Sequence, residues 1–248
     1  MKEMNSLIRL PLILVLMLVG TACTTLDVTD DPMLQTSGDP LVGLNRGVYA
    51  FNNAADKAVL KPAAKAYSTV VPNPARKAVG HFFSNLGEPL NALNNLLQGK
   101  VDGALTSTYR FAVNSTIGVF GLFDVAKSYQ VNRKYEDFGQ TLAVWGVKPG
   151  PYLVLPFLGP SNLRDGIGFT IDNLAFNSAA AISDDSATRF GLTALNVIDV
   201  RSGLLGSVDL IEHQLDPYLF LKEAYEQTRL NSIYDGNPPV RSDDDLDF

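Results

Sequence analysis

The residue best placed for covalent chemistry is Cys23, the only cysteine of the chain. It follows a weakly basic start, an apolar run at residues 10–19 and small residues at positions 20–22. This order is typical of an export signal, and the apolar run is too short to span a bilayer. A cysteine directly after small residues is also the layout of a signal in which lipid is attached to the thiol before cleavage. The pattern predicts a signal peptide at residues 1–22 and an acyl anchor, such as palmitate, on Cys23.

Two neighbours of Cys23 bear on this interpretation. Position 20 carries glycine, whereas lipid-attachment signals usually carry leucine three residues before the cysteine. The alternative is an unpaired thiol after an ordinary cleavage site, although an exported protein rarely keeps one reactive cysteine without using it. Thr24, rather than aspartate, follows the cysteine, and in this the chain is similar to enterobacterial lipoproteins sorted to the outer membrane. We therefore expect a lipid-anchored protein on the periplasmic face of the outer membrane.

The other reactive side chains form no recognisable catalytic or metal-binding pattern. The two histidines, His81 and His213, have no carboxylate, cysteine or second histidine at metal-ligand spacing. Ser84 lies close to His81, Glu88 precedes a proline at a helix start, and the Asp184–Asp185 pair stands in a polar turn. Catalysis requires buried groups with perturbed pKa values, and none of these positions indicates such a cluster. The sequence predicts no enzyme, no cofactor and no metal site.

A predicted helix at residues 104–123 contains an uncharged half, residues 111–123. That half combines large apolar residues with polar side chains at 114–116 and with glycines at positions 118 and 121. Small residues at this spacing let another backbone approach closely, in lipid or in a protein core. An apolar wall beside polar groups can move diacyl lipid without covalent chemistry. A plain core helix explains the same residues equally well, so both interpretations stay open at this point.

Composition narrows the classes of partner. The formal charge is −6, charged residues make up 19% and apolar residues 46% of the chain. Soluble domains usually carry about 25% charged residues, so this chain is apolar for a protein that is free in the periplasm. An acidic chain without a basic run argues against nucleic acid, and against docking on anionic headgroups by charge. Because no second cysteine exists, disulfides cannot stabilise the fold.

Helical spacing dominates residues 39–230 and predicts one mostly α domain. The polar residues 23–38 are typical of a flexible tether, and the acidic residues 231–248 of a disordered tail. The apolar, proline-punctuated run 152–160, with residues 143–147 before the turn, predicts a short hairpin or an irregular lip, the lip covering residues 145–158. The predicted helices cover residues 41–55, 62–70, 75–86, 90–98, 104–123, 186–205 and 218–229.

Short motifs recur in a fixed order through residues 39–230. They include Asp39-Pro40-Leu41, Asn85-Leu86-x-Glu88-Pro89, Arg110-Phe111-x-x-Asn114-Ser115, Asp137-Phe138-Gly139-Gln140-Thr141-Leu142, Gly150-Pro151-Tyr152, Gly159-Pro160-Ser161 and Asp216-Pro217-Tyr218. This set resembles the MlaA (VacJ) family of lipoproteins over the whole predicted domain. The chain departs from the family pattern in its weak lipid-attachment signal and in its acidic tail.

The resemblance implies a fold and a function. Members of that family are mostly α-helical, ring-like domains embedded in one membrane leaflet, with an amphipathic channel through the ring. They remove mislocalised phospholipid from the outer leaflet, pass it to a soluble periplasmic lipid carrier of the Mla system, and so maintain lipid asymmetry. Family members also associate with trimeric porins. The competing hypotheses are an adaptor lipoprotein that binds a porin or envelope protein without conducting lipid, and a lipid-modifying enzyme.

Two groups of residues are the candidate site under this resemblance. The first is a channel wall with an adjacent lip; its predicted residues are Asn114, Thr116, Ile117 and Phe120 for the wall and Trp145 and Leu155 for the lip. The second is Phe51-Asn52, a packing element in the first helix that we expect to control how readily the channel passes lipid. An ordinary core contact beside a solvated asparagine is the alternative for this pair.

Overall fold

The structure is a computed structural model that describes residues 39–176 and 178–239. Cys23, the predicted signal peptide and the predicted tether lie outside the described residues, as do residues 240–248 of the predicted tail. The described part is mostly helical, which confirms the predicted fold class. None of its helices is both long enough and apolar enough to cross a membrane.

The elements follow one another with short connections. A π-helical segment, Asp56–Leu60, joins the first two α-helices. The α-helices are α1 Val42–Ala55, α2 Lys61–Val70, α3 Asn73–Leu86, α4 Glu88–Leu97, α5 Val101–Thr116, α6 Val125–Ser128, α7 Phe138–Val144, α8 Leu163–Ala175, α9 Ser178–Ile182, α10 Ser186–Gly203, α11 Leu205–Glu212 and α12 Pro217–Ile233. The strands are β1 Tyr152–Leu155 and β2 Gly159–Asn162.

The last helix begins where the sequence predicts and ends later. The Asp216 carboxylate accepts hydrogen bonds from the backbone N–H groups of Tyr218 and Leu219, and Pro217 occupies the first turn, where its missing N–H costs nothing. The helix continues to Ile233, so residues 231–233, which we assigned to the tail, belong to the domain.

The predicted helix at residues 104–123 is wrong in its second half, because α5 ends at Thr116. Val119, Phe120 and Gly121 all have positive φ angles, of 53°, 55° and 87°, which turn the chain back on itself. A Cβ atom at Gly118 would lie 2.3 Å from the Phe123 carbonyl oxygen. The two glycines therefore close a turn over residues 117–123, which we call the apolar turn, and do not continue a helix.

The two strands form a hairpin in the expected region, but with a different pairing from the expected one. They pair antiparallel, with Tyr152 opposite Asn162 and Leu155 opposite Gly159. At the connection, Phe157 and Gly159 have φ angles of 63° and 89°, so the chain reverses through left-handed backbone conformations. Residues 143–147, the expected partner of the 152–160 run, form no strand: residues 143 and 144 end α7, and residues 145–147 follow it.

The elements contact one another in a closed circuit. The order of contacts is α1, the π-helical segment, α2, α10, α3, α5, α4, α7, α12, β2 and β1, and β1 packs on α1 again. The short helix α11 contacts α2, α10 and α12, so it joins two arcs of that circuit. A closed sequence of neighbours is the contact pattern of a ring rather than of a layered bundle.

Burial in this fold is inverted relative to an ordinary soluble domain. Fully buried side chains in the described part include Glu88, Asn91, Asn94, Asn95 and Gln140, and buried polar residues outnumber buried apolar ones. Large apolar side chains instead remain exposed along most helices. Because soluble proteins rarely expose contiguous apolar patches, such a surface indicates contact with a membrane or another protein.

Candidate functional site

The helices of the circuit are joined by buried ionic contacts. Glu88, at the start of α4, is fully buried and accepts a hydrogen bond of 2.9 Å from Arg110 Nε of α5. A second nitrogen of Arg110, Nη2, lies 2.9 Å from Asp124 before α6, and Nη1 donates to the Val131 carbonyl. Burial alone raises the pKa of Asp124, but hydrogen bonds from Arg110 and Asn114 outweigh it and lower that pKa. Glu88 is therefore a structural ion-pair partner in this fold.

A second ionic junction joins α7, α8 and α12. Arg229 of α12 donates to both oxygens of Asp137 at 2.6 and 2.7 Å, and to both oxygens of Asp165 at 2.8 and 2.9 Å. Burial alone raises the pKa of Asp165, but hydrogen bonds from Arg164, Arg229 and Tyr225 lower it to about 2. The pKa of Asp137 is also lowered, because Arg229 outweighs the effect of burial. We call these three groups, Arg229, Asp137 and Asp165, the Arg229 junction.

A neutral junction closes the circuit between α1 and the hairpin. The Asn45 side chain donates to the Tyr152 carbonyl at 3.0 Å and accepts from the Val154 N–H at 2.9 Å. Two helical turns later, Asn52 donates to the Leu155 carbonyl at 2.9 Å and accepts from the Phe157 N–H at 2.8 Å. Each amide binds the carbonyl of one residue and the N–H of the second residue after it. The two side chains thus satisfy backbone groups along this edge of the hairpin, as a neighbouring strand would.

The Phe51 ring completes this neutral junction. It meets the Phe157 ring edge to face, with 5.2 Å between the ring centroids. Phe51 and Phe157 are 50% and 71% exposed, so the contact lies at the surface and buries little area. The Phe51-Asn52 pair therefore fixes the tip of the hairpin through one ring contact and two hydrogen bonds. We call the contacts of Asn45, Phe51 and Asn52 with residues 152–157 the hairpin junction.

An amphipathic cavity of about 240 Å³ lies beside the hairpin junction. Its polar side is formed by Asn52, Asn53 and the ion pair of Asp56 with Arg201, whose nitrogens lie 2.7 Å from the carboxylate oxygens. Its apolar side includes Val154, Val208, Ile211 and Leu221. This hairpin cavity thus places apolar walls opposite polar groups, the combination that an amphiphile requires. It contains contributions from β1, α1, α10, α11 and α12.

The predicted wall residues do not share one environment. Asn114 is buried, donates to Asp124 and accepts from the Ala126 N–H, so its amide holds the apolar turn in place. Ile117 and Phe120 lie in the apolar turn and are 65% and 77% exposed. Thr116 is exposed, and its hydroxyl donates a hydrogen bond to the Ala112 carbonyl one turn earlier. Asn114 therefore does not share the exposed surface of the other three side chains, and a channel wall built from these residues stays a prediction.

The predicted lip residues lie on two elements. Trp145 follows α7, donates its indole N–H to the Leu97 carbonyl at 3.0 Å and contacts the Phe138 ring. Leu155 ends β1 and presents its carbonyl to Asn52. Of the predicted site residues, Asn52 lines the hairpin cavity directly, and its role as a control element stays a prediction.

Sequence reasoning missed several residues of the cavity. Asn53, Asp56 and Arg201 give it polarity, but Asp56 and Arg201 are 145 positions apart and no local pattern joins them. The adjacent asparagines 52 and 53 were the one available signal. Groups of three or more His, Cys, Asp or Glu that could hold a metal ion do not occur in the described residues.

Comparison with known proteins identifies the family. A family model described as MlaA lipoprotein matches residues 37–232. The intermembrane phospholipid transport system lipoprotein MlaA of Escherichia coli strain K12 is 35% identical over 215 residues, which cover 85% of this chain and 82% of that protein. An uncharacterized protein of Rickettsia typhi is 37% identical over 196 residues, covering 79% of this chain and 78% of its own length.

A solved structure supports the same assignment. It is described as the structural basis for maintenance of bacterial outer membrane lipid asymmetry, and its TM-score with this chain is 0.69 at 34% identity. The match covers 81% of this chain and 100% of the solved one. The resemblance predicted from the sequence motifs is thereby confirmed, and this chain belongs to the MlaA lipoprotein family.

Proposed function

We propose that the protein is an outer-membrane lipoprotein, anchored through Cys23 on the periplasmic face, that removes mislocalised phospholipid from the outer leaflet. In this proposal an amphipathic passage through the closed circuit takes up the lipid and delivers it to a soluble periplasmic carrier. The relatives' description as intermembrane phospholipid transport lipoproteins supports this function. Transport of this kind needs no catalytic residue, which agrees with the expectation that the protein is not an enzyme.

The observation that carries the proposal is the inverted burial. Many polar side chains are buried within the domain, whereas many large apolar side chains are exposed. In water the exposed side chains would be unfavourable at about 25 cal/mol per Å² of apolar surface, whereas lipid tails remove that cost. A closed helical circuit embedded in one leaflet accounts for both the buried polar contacts and the exposed apolar side chains, and it needs no helix that spans the membrane.

The apolar turn is the part of this surface that we assign to the leaflet. Its side chains at positions 117, 119, 120 and 123 are all about half exposed or more, at 65%, 48%, 77% and 60%. Val119 and Phe120 hold left-handed backbone conformations, which β-branched and bulky residues adopt only where the surroundings fix them. The buried Asn114 amide is one such constraint, because it binds Asp124 and the Ala126 N–H on the far side of the turn.

The hairpin junction is the part that we assign to control of lipid flow. Asn52 both lines the hairpin cavity and binds the hairpin tip, so releasing the tip would change the wall of the cavity. Deleting Phe51-Asn52 should therefore change the amount of phospholipid at the cell surface. An unchanged surface lipid content at normal protein level would contradict this role.

The partners in this proposal are a trimeric porin of the outer membrane and the soluble lipid carrier of the Mla system. The exposed apolar surface supports a membrane-embedded partner, since the same residues that face lipid tails can face a porin's outer wall. The net charge of −6 disfavours a nucleic-acid partner.

The experiment is complementation of a strain that lacks the gene. Wild-type protein should restore detergent resistance and remove phospholipid from the outer leaflet, whereas Ile117→Asp should not, because a carboxylate cannot enter the acyl region. Ile117→Leu, which keeps the side chain apolar, is the matched control. Cys23→Ala should fail as well, because it removes the anchor.

The same strains separate transport from an adaptor role. Phospholipid that co-purifies with the wild-type protein after mild extraction supports transport. A protein that binds porin normally, carries no phospholipid and leaves surface lipid unchanged on deletion would identify an adaptor and overturn the proposal.

A further inference from the structure

A second cavity, of about 300 Å³, lies next to the hairpin cavity, among β1, β2, α7 and α12. A row of tyrosine rings separates the two: Tyr49 lines the hairpin cavity, while Tyr152 and Tyr225 line the second one. Tyr218 stands between them, 6.1 Å from Tyr49 and 6.2 Å from Tyr152 between ring centroids. We call the second space the tyrosine cavity.

The tyrosine cavity holds an unpaired buried polar group. Tyr152 is 95% buried, at 5% exposure, and its hydroxyl has no hydrogen-bond partner among the described residues. The neighbouring hydroxyls are both used, since Tyr225 donates to Asp165 and Tyr218 donates to Asp39. Leaving a buried hydroxyl without a partner costs about 1–3 kcal/mol, so a group in this position calls for an explanation.

The hydroxyl acts as a donor at neutral pH. Burial, and then the negative charges of Glu226 and Asp39, raise the pKa of Tyr152 above its ordinary value, so the phenol stays protonated. The protonated hydroxyl can donate, so an acceptor in the cavity would satisfy it.

The other lining residues decide which kind of acceptor fits. Arg164 already donates to Asp165 at 2.8 Å and to the Val147 carbonyl, so it is engaged within the protein. The Glu226 carboxylate, whose side chain is 53% exposed, pairs with Lys222 Nζ at 3.8 Å, so this pair offers no net charge that would select a phosphate or a free fatty acid. A neutral acceptor is favoured, and the rest of the lining is mainly apolar, with Pro149, Leu230 and Ile233 beside the polar Asn162 and Tyr234.

We infer that the tyrosine cavity binds one ester-linked acyl chain of a glycerophospholipid, with the ester carbonyl accepting a hydrogen bond from the Tyr152 hydroxyl. This inference rests on the proposed function, because it names a binding site for the lipid that the protein transports. The volume lies at the lower end of the range of about 300–1,000 Å³ for ligand pockets and suits a single chain rather than a whole diacyl lipid.

The test uses two lipids that differ in the carbonyl alone. Full-length protein, purified in mild detergent and stripped of lipid, is titrated with dioleoyl phosphatidylethanolamine and with its ether-linked analogue, which lacks the ester carbonyls. Wild-type protein should bind the ester lipid about threefold to tenfold more tightly, the range for one neutral hydrogen bond. Tyr152→Phe should abolish the preference by weakening ester binding alone.

Two further variants serve as controls. Tyr129→Phe removes an exposed hydroxyl after α6 and should keep the full ester preference. Ala143→Phe narrows the cavity and should weaken both lipids together. Because Tyr152→Phe keeps the ring and removes an unpaired group, the lipid-free variant should unfold at the same or a higher temperature than wild type.

The possible results separate this inference from the function on which it rests. Equal binding of ester and ether lipid by wild type, or an unchanged preference in Tyr152→Phe, overturns the tyrosine site and leaves transport intact. If wild type binds neither lipid, both fail. An ester preference shown with monoacyl lysophosphatidylethanolamine as well supports the single-chain site directly, whereas a preference that needs both chains would overturn it.

Discussion

The Arg229 junction and the hairpin junction close the same circuit with opposite chemistry. At the first, one guanidinium binds two largely buried carboxylates through four short hydrogen bonds. At the second, two neutral amides bind backbone groups, and a surface ring contact completes the joint. Breaking the first leaves the Asp137 carboxylate without its cation, whereas breaking the Asn52 half of the second frees partly buried or exposed backbone groups that water can satisfy.

This difference assigns the two junctions different tasks. A joint that is costly to open maintains the frame, and one that opens at small cost can change the wall of an adjoining cavity. The hairpin cavity adjoins the second junction, through Asn52 and Val154. We therefore expect lipid passage to depend on the hairpin junction and the stability of the fold on the Arg229 junction.

The largest effect should come from Arg229→Met. It leaves Asp137 and Asp165 buried without their shared cation and should lower the free energy of unfolding by about 3–5 kcal/mol. Thermal unfolding of the detergent-solubilised protein measures this. Lys127→Met, which removes an exposed cation, is the control, and it should change stability by less than about 0.5 kcal/mol. Similar stability of the two variants would remove the contrast between the junctions.

The second largest effect is the loss of stability of the Arg229 junction in acid. The folded-state pKa of Asp165 is about 2, below its ordinary value of 3.8, so its contribution is present above pH 4. That contribution is lost as pH falls from about 4 to about 2, because the unfolded chain takes up the proton first. The shift corresponds to about 2 kcal/mol. Unfolding free energies measured across that range should fall in wild type and fall less in Asp165→Asn.

The hairpin junction provides the comparison for this acid effect. The Asn52 amide binds only backbone groups, which do not titrate, so Asn52→Ala should show the same loss of stability between pH 4 and pH 2 as wild type. A different pH slope in that variant would mean that the two junctions are coupled, against the separation argued above.

Sequence reasoning reached the helical class, the region of the hairpin and the family, because those features leave local signals in spacing, prolines and short motifs. It named Phe51-Asn52 as a packing element but not the backbone groups that the pair holds, and it did not reach the Arg229 junction. The bonds of Asn45 and Asn52 to β1 join residues 107 and 103 positions apart, and no helical or strand period reports such a pairing. The early end of α5 was missed for a similar reason, because left-handed Val119 and Phe120 contradict local propensity. A Cβ atom at Gly121 would lie 2.7 Å from the Asn85 side chain, so a distant helix sets that turn.

A smaller effect is expected from Asn52→Ala. Losing its bonds to the Leu155 carbonyl and the Phe157 N–H should cost about 1–2 kcal/mol locally, since the freed groups can bind water. Hydrogen exchange of the Phe157 amide should accelerate while exchange within α7 and α12 stays unchanged. Asn53→Ala, one position on, keeps both bonds and is the matched control. Faster exchange throughout the domain would show that the hairpin junction also holds the frame.

The smallest effect concerns the ring contact between Phe51 and Phe157. An edge-to-face pair contributes about 0.5–1.5 kcal/mol, and the exposure of both rings places this one at the lower end. A double-mutant cycle of Phe51→Leu and Phe157→Leu, measured by exchange of the Phe157 amide, should therefore give a coupling near 0.5 kcal/mol. Leucine at position 157 keeps the same left-handed backbone requirement, so strain cancels in the cycle. A coupling of zero would mean that the two Asn52 hydrogen bonds alone fix the hairpin tip. Phe51 would then have no part in the role assigned to Asn52.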